Sequence, residues 1–208
     1  MKKLFKSLIN RYPDLLEKEI IGSCETLLDV GCGSDSPIAQ FSKKLRHSVG
    51  IDGFQPSIDK SRAKGIHSDY QLGNVLKTGE IFPPKSFDCV VALDLVEHLE
   101  KADGLKLIAD MEKIARKKVI IFTPTGFQEQ RAYDGNEYQI HRSGWEVEEM
   151  QKMGYRVLGI NGWKPLRGER AEMNFKPKKL WYLISLLTQP FTENSAKQAY
   201  QMLCIKDL

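Results

Sequence analysis

The chain has 208 residues and a mass of 23.7 kDa, is 41% hydrophobic and 28% charged, and carries a formal net charge of +4. That is room for one well-filled domain, and the near-average composition argues against disorder, collagen-like repetition and a disulfide scaffold. No apolar run approaches the roughly 20 residues of a membrane-spanning helix; the densest, Leu180 to Leu187, is short and contains Ser185. The charge is unevenly placed. Residues 161–208 hold eight basic and four acidic side chains and so account for the whole excess, while the first twelve residues hold Lys2, Lys3, Lys6 and Arg11 and no acid. Cys24, Cys32, Cys89 and Cys204 are scattered without a CxxC pair, which points to a reducing compartment. The start lacks an uninterrupted apolar core and a small-residue cleavage site, and a cytoplasmic location is expected.

Leu4, Phe5, Leu8, Ile9, Leu15 and Leu16 recur at helical spacing around Pro13, predicting one or two short N-terminal helices. Thr26 to Val30 reads as a buried strand running into Gly31-Cys32-Gly33, followed by a helix over Ser36 to Leu45. Ser48 to Asp52 is a second strand, Pro56 to Ala63 a second helix, and Ile66 to Leu72 a weak third strand. Phe87 to Leu93 is a strong buried strand leading to a helix near Gly104 to Ala115, and Lys118 to Phe122 is another, stopped by Thr123-Pro124. Apolar runs alternating with helical patterns make βαβ units and hence a mostly parallel sheet covered on both faces. Gly126 to Arg142 is polar and turn-rich. Trp145 to Met153 and Lys178 to Leu187 read as helices, and Tyr155 to Ile160 and Tyr200 to Ile205 as a late strand pair suited to antiparallel pairing at the sheet edge.

The sharpest motif is Asp29-Val30-Gly31-Cys32-Gly33. Glycines directly after a strand let the backbone turn without a Cβ clash and let a ligand approach the main chain. The dinucleotide pattern would place glycine or alanine where Ser36 stands, and a carboxylate two residues ahead of the first glycine suits a cationic ligand better than a pyrophosphate. Asp52, ending the second strand 23 residues after Asp29, sits near the interval at which an acid takes ribose hydroxyls.

On these residues the chain resembles the class I S-adenosylmethionine-dependent methyltransferases of the small-molecule branch, the type 11 and type 23 kind. Gly73-Asn74-Val75 stands where the family has Gly-Asp-Ala beside the adenine, with Asn74 replacing the acid. Leu93 to Leu99 resembles the loop under the methionine part of the cofactor, and His141-Arg142-Ser143-Gly144-Trp145 resembles a segment common in that branch. The resemblance spans residues 25 to about 163. It implies a doubly wound, Rossmann-like α/β sheet of seven strands, with an antiparallel edge strand and helices on both faces, in one domain. Residues 1–20 would add a helical segment and residues 164–208 a helix and final strand over the substrate. It also implies that Asp29, Gly31, Cys32, Gly33, Asp52, Gly53, Asn74, Val75 and Leu93 bind S-adenosylmethionine. Methyl transfer rests on holding the nucleophile in line with the methyl group, with a base needed only where the acceptor must lose a proton. His98 and His141 are the candidates for that base, and His47 and His67 receive no role.

Asp94, Glu97 and His98 are similar to the metal-binding motif of some ubiquinone-pathway and small-RNA 2′-O-methyltransferases, where a further His, matched by His141, completes the set. The expected acceptor is a small or lipophilic molecule, methylated at O, N or C. A metal-assisted RNA 2′-O-methyltransferase and a non-catalytic cofactor-binding module stand as alternatives, although no RNA-binding signature accompanies the charge. Lys176 to Ile184 reads either as a surface helix laying its lysines over the core or as an interfacial helix that contacts anionic lipid or covers a lipophilic substrate.

Overall fold

In the computed structural model, residues 11–132 and 137–208 are described. The early apolar positions Leu4, Phe5, Leu8 and Ile9 therefore lie outside the described residues. The strands are β1 (Thr26–Val30), β2 (His47–Asp52), β3 (Asp69–Leu72), β4 (Phe87–Leu93), β5 (Ala115–Pro124), β6 (Arg156–Trp163) and β7 (Ala199–Asp207). They form one sheet in the order β3-β2-β1-β4-β5-β7-β6. β1 pairs parallel with β2 on one side and β4 on the other, β2 pairs parallel with β3, and β6 pairs antiparallel with β7. The expected late antiparallel pair is present at the edge, with β6 outermost. The order reverses between β1 and β4, and ligands of such sheets bind outside the carboxyl ends of the strands at that switch point.

The helices are α1 (Arg11–Ile20), α2 (Gln55–Ala63), the single turn α3 (Thr78–Ile81), α4 (Lys101–Ile114), α5 (Val147–Lys152) and α6 (Lys178–Glu193). Pro13 does not break α1. It stands in the first turn, where the missing N–H leaves no intrahelical bond unmade. β1 and β4 are buried at every position, which is why they read as continuous apolar runs rather than alternating ones.

The helix expected over Ser36 to Leu45 is instead two 3-10 turns, Pro37–Gln40 and Ser42–Lys44, separated by Phe41 at φ −136° and ψ 1°. Ile38 and Phe41 are both buried, and Phe41, whose backbone is outside the helical region, closes the first turn and precedes the second. The non-helical backbone at Phe41 is what keeps the two turns from joining into one α-helix.

The chain divides into two compact units, Met1–Leu95 with Ala102–Ile121 and Lys206–Leu208, and Val96–Lys101 with Phe122–Ile205. In the second, α6 packs on β6. Among the described residues no helix is long and apolar enough to cross a membrane.

Candidate active site

The glycine loop follows directly from β1, which the pairing register sets beside Gly50 and Ile51 of β2 and Val91 and Ala92 of β4. Gly31 and Gly33 have φ of +69° and +56°, a region that side-chain-bearing residues enter at a cost. The two glycines serve different ends. A Cβ on Gly31 would stand 2.6 Å from Leu95 Cδ1, so this glycine admits the Leu95 side chain from the turn after β4. A Cβ on Gly33 would meet nothing within 4 Å and would project into open space.

The amides of the loop are taken up internally. Gly31 N–H and Cys32 N–H both donate to Ile51 O, at 2.8 and 3.1 Å, and Gly33 N–H donates to Asp52 Oδ2 at 2.9 Å. A pyrophosphate cradle needs such amides free and a helix N-terminus behind them. Here three successive amides have other partners and the following segment is a 3-10 turn, so the loop is not built for a dinucleotide.

Carboxylates remain. Asp29 is buried; its Oδ2 accepts from Ser36 Oγ at 2.6 Å and lies 3.2 Å from His67 Nε2, while its Oδ1 has no hydrogen-bond partner. The His67 contact is close enough for an ion pair but too poorly directed for a hydrogen bond, since His67 Nε2 is itself without one. A buried carboxylate oxygen left open costs free energy unless a ligand answers it. Asp52 also accepts from Phe54 N–H at 2.8 Å through Oδ1. Burial raises its carboxyl above the ordinary range, against the lowering effect of the Phe54 and Gly33 amides. With the Gly53 amide also acting on it, Asp52 still keeps acceptor capacity on its two oxygens. The open side of Gly33, the open oxygen of Asp29 and this acceptor capacity fit a ligand bearing a cationic group and a ribose.

The other expected cofactor residues are distributed around this loop. Gly53 follows Asp52 at the end of β2 and is exposed. Asn74 is exposed too, and its Oδ1 accepts from Leu76 N–H at 2.9 Å, capping a 3-10 turn that begins at Val75. Leu93 ends β4, buried, and Asp94 after it has φ of +53°, a strained conformation of the kind that clusters at functional sites. Cys32 does not point outward. Its thiol is buried beside Gly50, and burial, followed by the charges of Asp29 and Asp52, pushes its pKa well up. Only its backbone belongs to the loop.

Two residues were missed. His67 received no role, yet its buried ring stands against Asp29. The signal for it is Gly50, a glycine inside a buried strand, which marks close approach of another group. A Cβ there would stand 2.7 Å from the His67 ring and 2.8 Å from Cys32 Sγ. Ser36, noted only as a departure from glycine, holds Asp29 and accepts from Ile38 N–H at 3.3 Å.

In the second unit, His98 and His141 come together with ring centroids 4.8 Å apart in an edge-on arrangement. The His141 to Trp145 segment is tied to the turn after β4 by its backbone: Arg142 N–H and Ser143 N–H donate to Glu97 O, and Ser143 Oγ donates to Val96 O. His98 Nδ1 lies 3.2 Å from Ile140 O and His141 Nδ1 lies 2.7 Å from Gln128 O. A backbone carbonyl can only accept, so both Nδ1 atoms donate and each Nε2 keeps its lone pair. Burial, with the neighbouring His141 second, lowers the His98 pKa to about 4, and burial also lowers that of His141. Glu97 is buried and its Oε2 accepts from Thr123 Oγ1 at 2.9 Å. One ligand atom from each of Glu97, His98 and His141 falls within 4.8 Å of the others. Asp94, the first residue of the expected motif, is not part of this group.

A family of methyltransferase domains matches residues 28–123, the stretch from β1 to the end of β5. Residues 28–123 belong to the class I S-adenosylmethionine-dependent methyltransferases. The chain is 26% identical over 116 residues to a ubiquinone biosynthesis O-methyltransferase of Hahella chejuensis, covering 54% of this chain and 48% of that protein. A protein of the same description from Rickettsia bellii is 26% identical over 132 residues, covering 62% and 51%. The chain thus spans about half the length of the curated relatives it matches. An S-adenosylmethionine-dependent methyltransferase structure from Archaeoglobus fulgidus superposes with a TM-score of 0.58 at 15% identity, covering 100% of this chain and 99% of that one, which is agreement of fold. The acid-x-Gly-x-Gly loop, Asp29 to Gly33, lies within the matched stretch, at the end of β1.

Proposed function

We propose that the protein transfers a methyl group from S-adenosylmethionine to a hydroxyl of a small or lipophilic acceptor. The observation that carries this reading is the glycine loop itself, whose amides are internally bonded and whose open polar groups are carboxylate oxygens. S-adenosylmethionine supplies a methyl group on a positively charged sulfur. Asp29 Oδ1 answers the positive charge of such a ligand, Asp52 takes the ribose hydroxyls, Gly33 and Gly53 let it lie against the backbone, Asn74 and Val75 border the adenine, and Leu93 lies under the methionine chain. His98 and His141, neutral at physiological pH with Nε2 open, are the bases that accept the acceptor's proton. The named activity of the curated relatives favours oxygen over nitrogen or carbon, and the four free, buried cysteines suit the reducing, cytoplasmic setting expected.

A second reading of the histidine cluster has its own support. Each histidine donates Nδ1–H to a carbonyl and offers Nε2, the arrangement of metal-bound imidazole, and Glu97 adds a buried carboxylate oxygen. Glu97, His98 and His141 would hold a divalent cation, which would lower the pKa of an acceptor hydroxyl. Equilibrium binding tests the principal reading: S-adenosylmethionine should bind and NADH should not, and labelled methyl groups should enter phenolic or lipid-soluble products. Binding of NADH with no affinity for S-adenosylmethionine would sink it. Calorimetric titration of chelator-treated protein with Mg²⁺ and Zn²⁺ separates the base from the metal site.

A further inference from the structure

The helix α6 is amphipathic, but it faces the wrong way for a core helix. Its buried positions are Ser185, Gln189 and Thr192. These and their neighbours bond the backbone of β6: Ser185 Oγ donates to Asn161 O at 3.0 Å, Gln189 Oε1 accepts from Gly162 N–H at 2.9 Å, Gln189 Nε2 donates to Gly159 O at 2.8 Å, and Thr188 Oγ1 accepts from Trp163 N–H at 2.9 Å. Glycines permit the approach, since a Cβ on Gly159 would run into Thr192 O and one on Gly162 into Ser185 O. Leu180, Leu183, Leu187 and Phe191, spaced three and four residues apart, make the opposite stripe and are 50, 46, 65 and 79% exposed.

Four large apolar side chains in one stripe are more than scattered surface hydrophobics. The charge around them selects what they meet. From Met173 to Thr192 the chain has three lysines, Lys176, Lys178 and Lys179, and no acid; Glu172, just before, is paired with Lys178. The Phe175 and Trp181 rings pack at a tilt, 4.8 Å between centroids, at the first turn, and Tyr182 is exposed beside them. A depression of about 380 Å³, whose lining includes Arg167, Lys178, Lys179, Tyr182 and the Lys178-paired Glu172, opens at the same end. An apolar stripe with basic side chains and interfacial aromatics at one end matches a bilayer surface bearing anionic phosphate headgroups.

We infer that α6 docks this protein on an anionic lipid surface, with Leu183, Leu187 and Phe191 entering the acyl boundary and Lys176 and Lys179 at the phosphates. The inference goes beyond the methyl-transfer reading and does not rest on it. The test is co-sedimentation of the full chain with vesicles of phosphatidylcholine, alone or mixed with phosphatidylglycerol. Binding is expected on the mixed vesicles and should weaken with salt. Leu187→Asp with Phe191→Asp should weaken it about a hundredfold or more, and Lys176→Glu with Lys179→Glu roughly tenfold or more, on the mixed vesicles alone. All these side chains are exposed, so both double variants should keep the wild-type Tm and affinity for S-adenosylmethionine. Absence of binding by the parent chain overturns the inference. So does binding that survives both double variants but disappears when residues 1–10 are deleted. A dimer that the Leu187/Phe191 variant dissociates, without vesicle binding, would assign the face to a second copy and overturn it as well.

Discussion

The strands around the glycine loop and the α6–β6 pair obey the same hydrogen-bonding rules and bury opposite kinds of side chain. In β1 and β4 apolar residues fill the interior and the polar groups stand near the strand ends, Thr26 and Asp29 in β1 and Asp88 in β4. In α6 the polar residues face inward and the apolar ones outward. The neighbour explains the difference. β1 and β4 are interior strands, whose backbone groups are satisfied by other strands, so their surroundings offer only apolar contact. β6 is the outermost strand, and Gly159 O, Asn161 O, Gly162 N–H and Trp163 N–H need partners that no further strand supplies. Ser185, Thr188 and Gln189 provide them. Helical periodicity announces that a helix has two faces; the unmet needs of its neighbour decide which one is buried.

The largest expected effect breaks the glycine loop. Gly31→Ala combines a left-handed conformation with a Cβ driven against Leu95, and should cost about 3 kcal/mol of stability, a fall of several degrees in Tm. Gly33→Ala meets open space and should cost only about 1 kcal/mol. Its Cβ, however, enters the space through which a ligand would approach the loop, so affinity for S-adenosylmethionine should fall at least as far as in Gly31→Ala. Thermal denaturation and equilibrium binding of the two variants measure this. Equal losses of both quantities would mean that the loop is merely a turn.

These glycines were legible because their meaning is local: a glycine after a buried strand, with acids at fixed intervals, speaks through sequence spacing alone. β1 and β4 were legible for the same reason, being short apolar runs between turn residues. What lay beyond reach depends on contacts between distant segments. The ring of His67 reaches Asp29 only because Gly50 leaves a gap in β2. The 3-10 turns after Ser36 are separated by the non-helical backbone of the buried Phe41, and the inward polar face of α6 follows from the edge position of β6. His98 and His141 were named separately, 43 positions apart in the chain, and a backbone tie at Glu97 O sets them side by side.

A smaller effect sharpens the contrast between two histidine environments. At the glycine loop, His67 faces a carboxylate; in the second unit, His98 faces His141. The His98 pKa is lowered from 6.5 to about 4, first by burial and then by the second histidine. The native state therefore prefers the neutral ring. Stability from this group is fully present above the unfolded pKa and is lost as pH falls toward the folded one. Between pH 7 and pH 5 that loss should be about 2 kcal/mol. Denaturation in the presence of chelator should show it, and His98→Gln should flatten that part of the profile. An unchanged slope would mean that the ring is not the group being titrated.

The smallest effect tests the inversion of α6 most directly. Leu187 belongs to the helix's apolar stripe, and an inward-facing leucine such as Leu107 of α4 would cost about 2–5 kcal/mol on truncation to alanine. With Leu187 65% exposed, little area is lost and no cavity is left, so Leu187→Ala should change stability by less than about 0.5 kcal/mol. Gln189→Ala, a polar-to-alanine change two residues away, strips partners from Gly159 O and Gly162 N–H and should cost more, roughly 1–3 kcal/mol. The rank order, glutamine above leucine, is the reverse of that in an ordinary amphipathic helix. It can be read from the denaturation midpoints of the two variants in dilute protein without lipid. A leucine effect as large as that expected for Leu107 would mean that the stripe is already covered in solution, and the assignment of inner and outer faces would have to be exchanged.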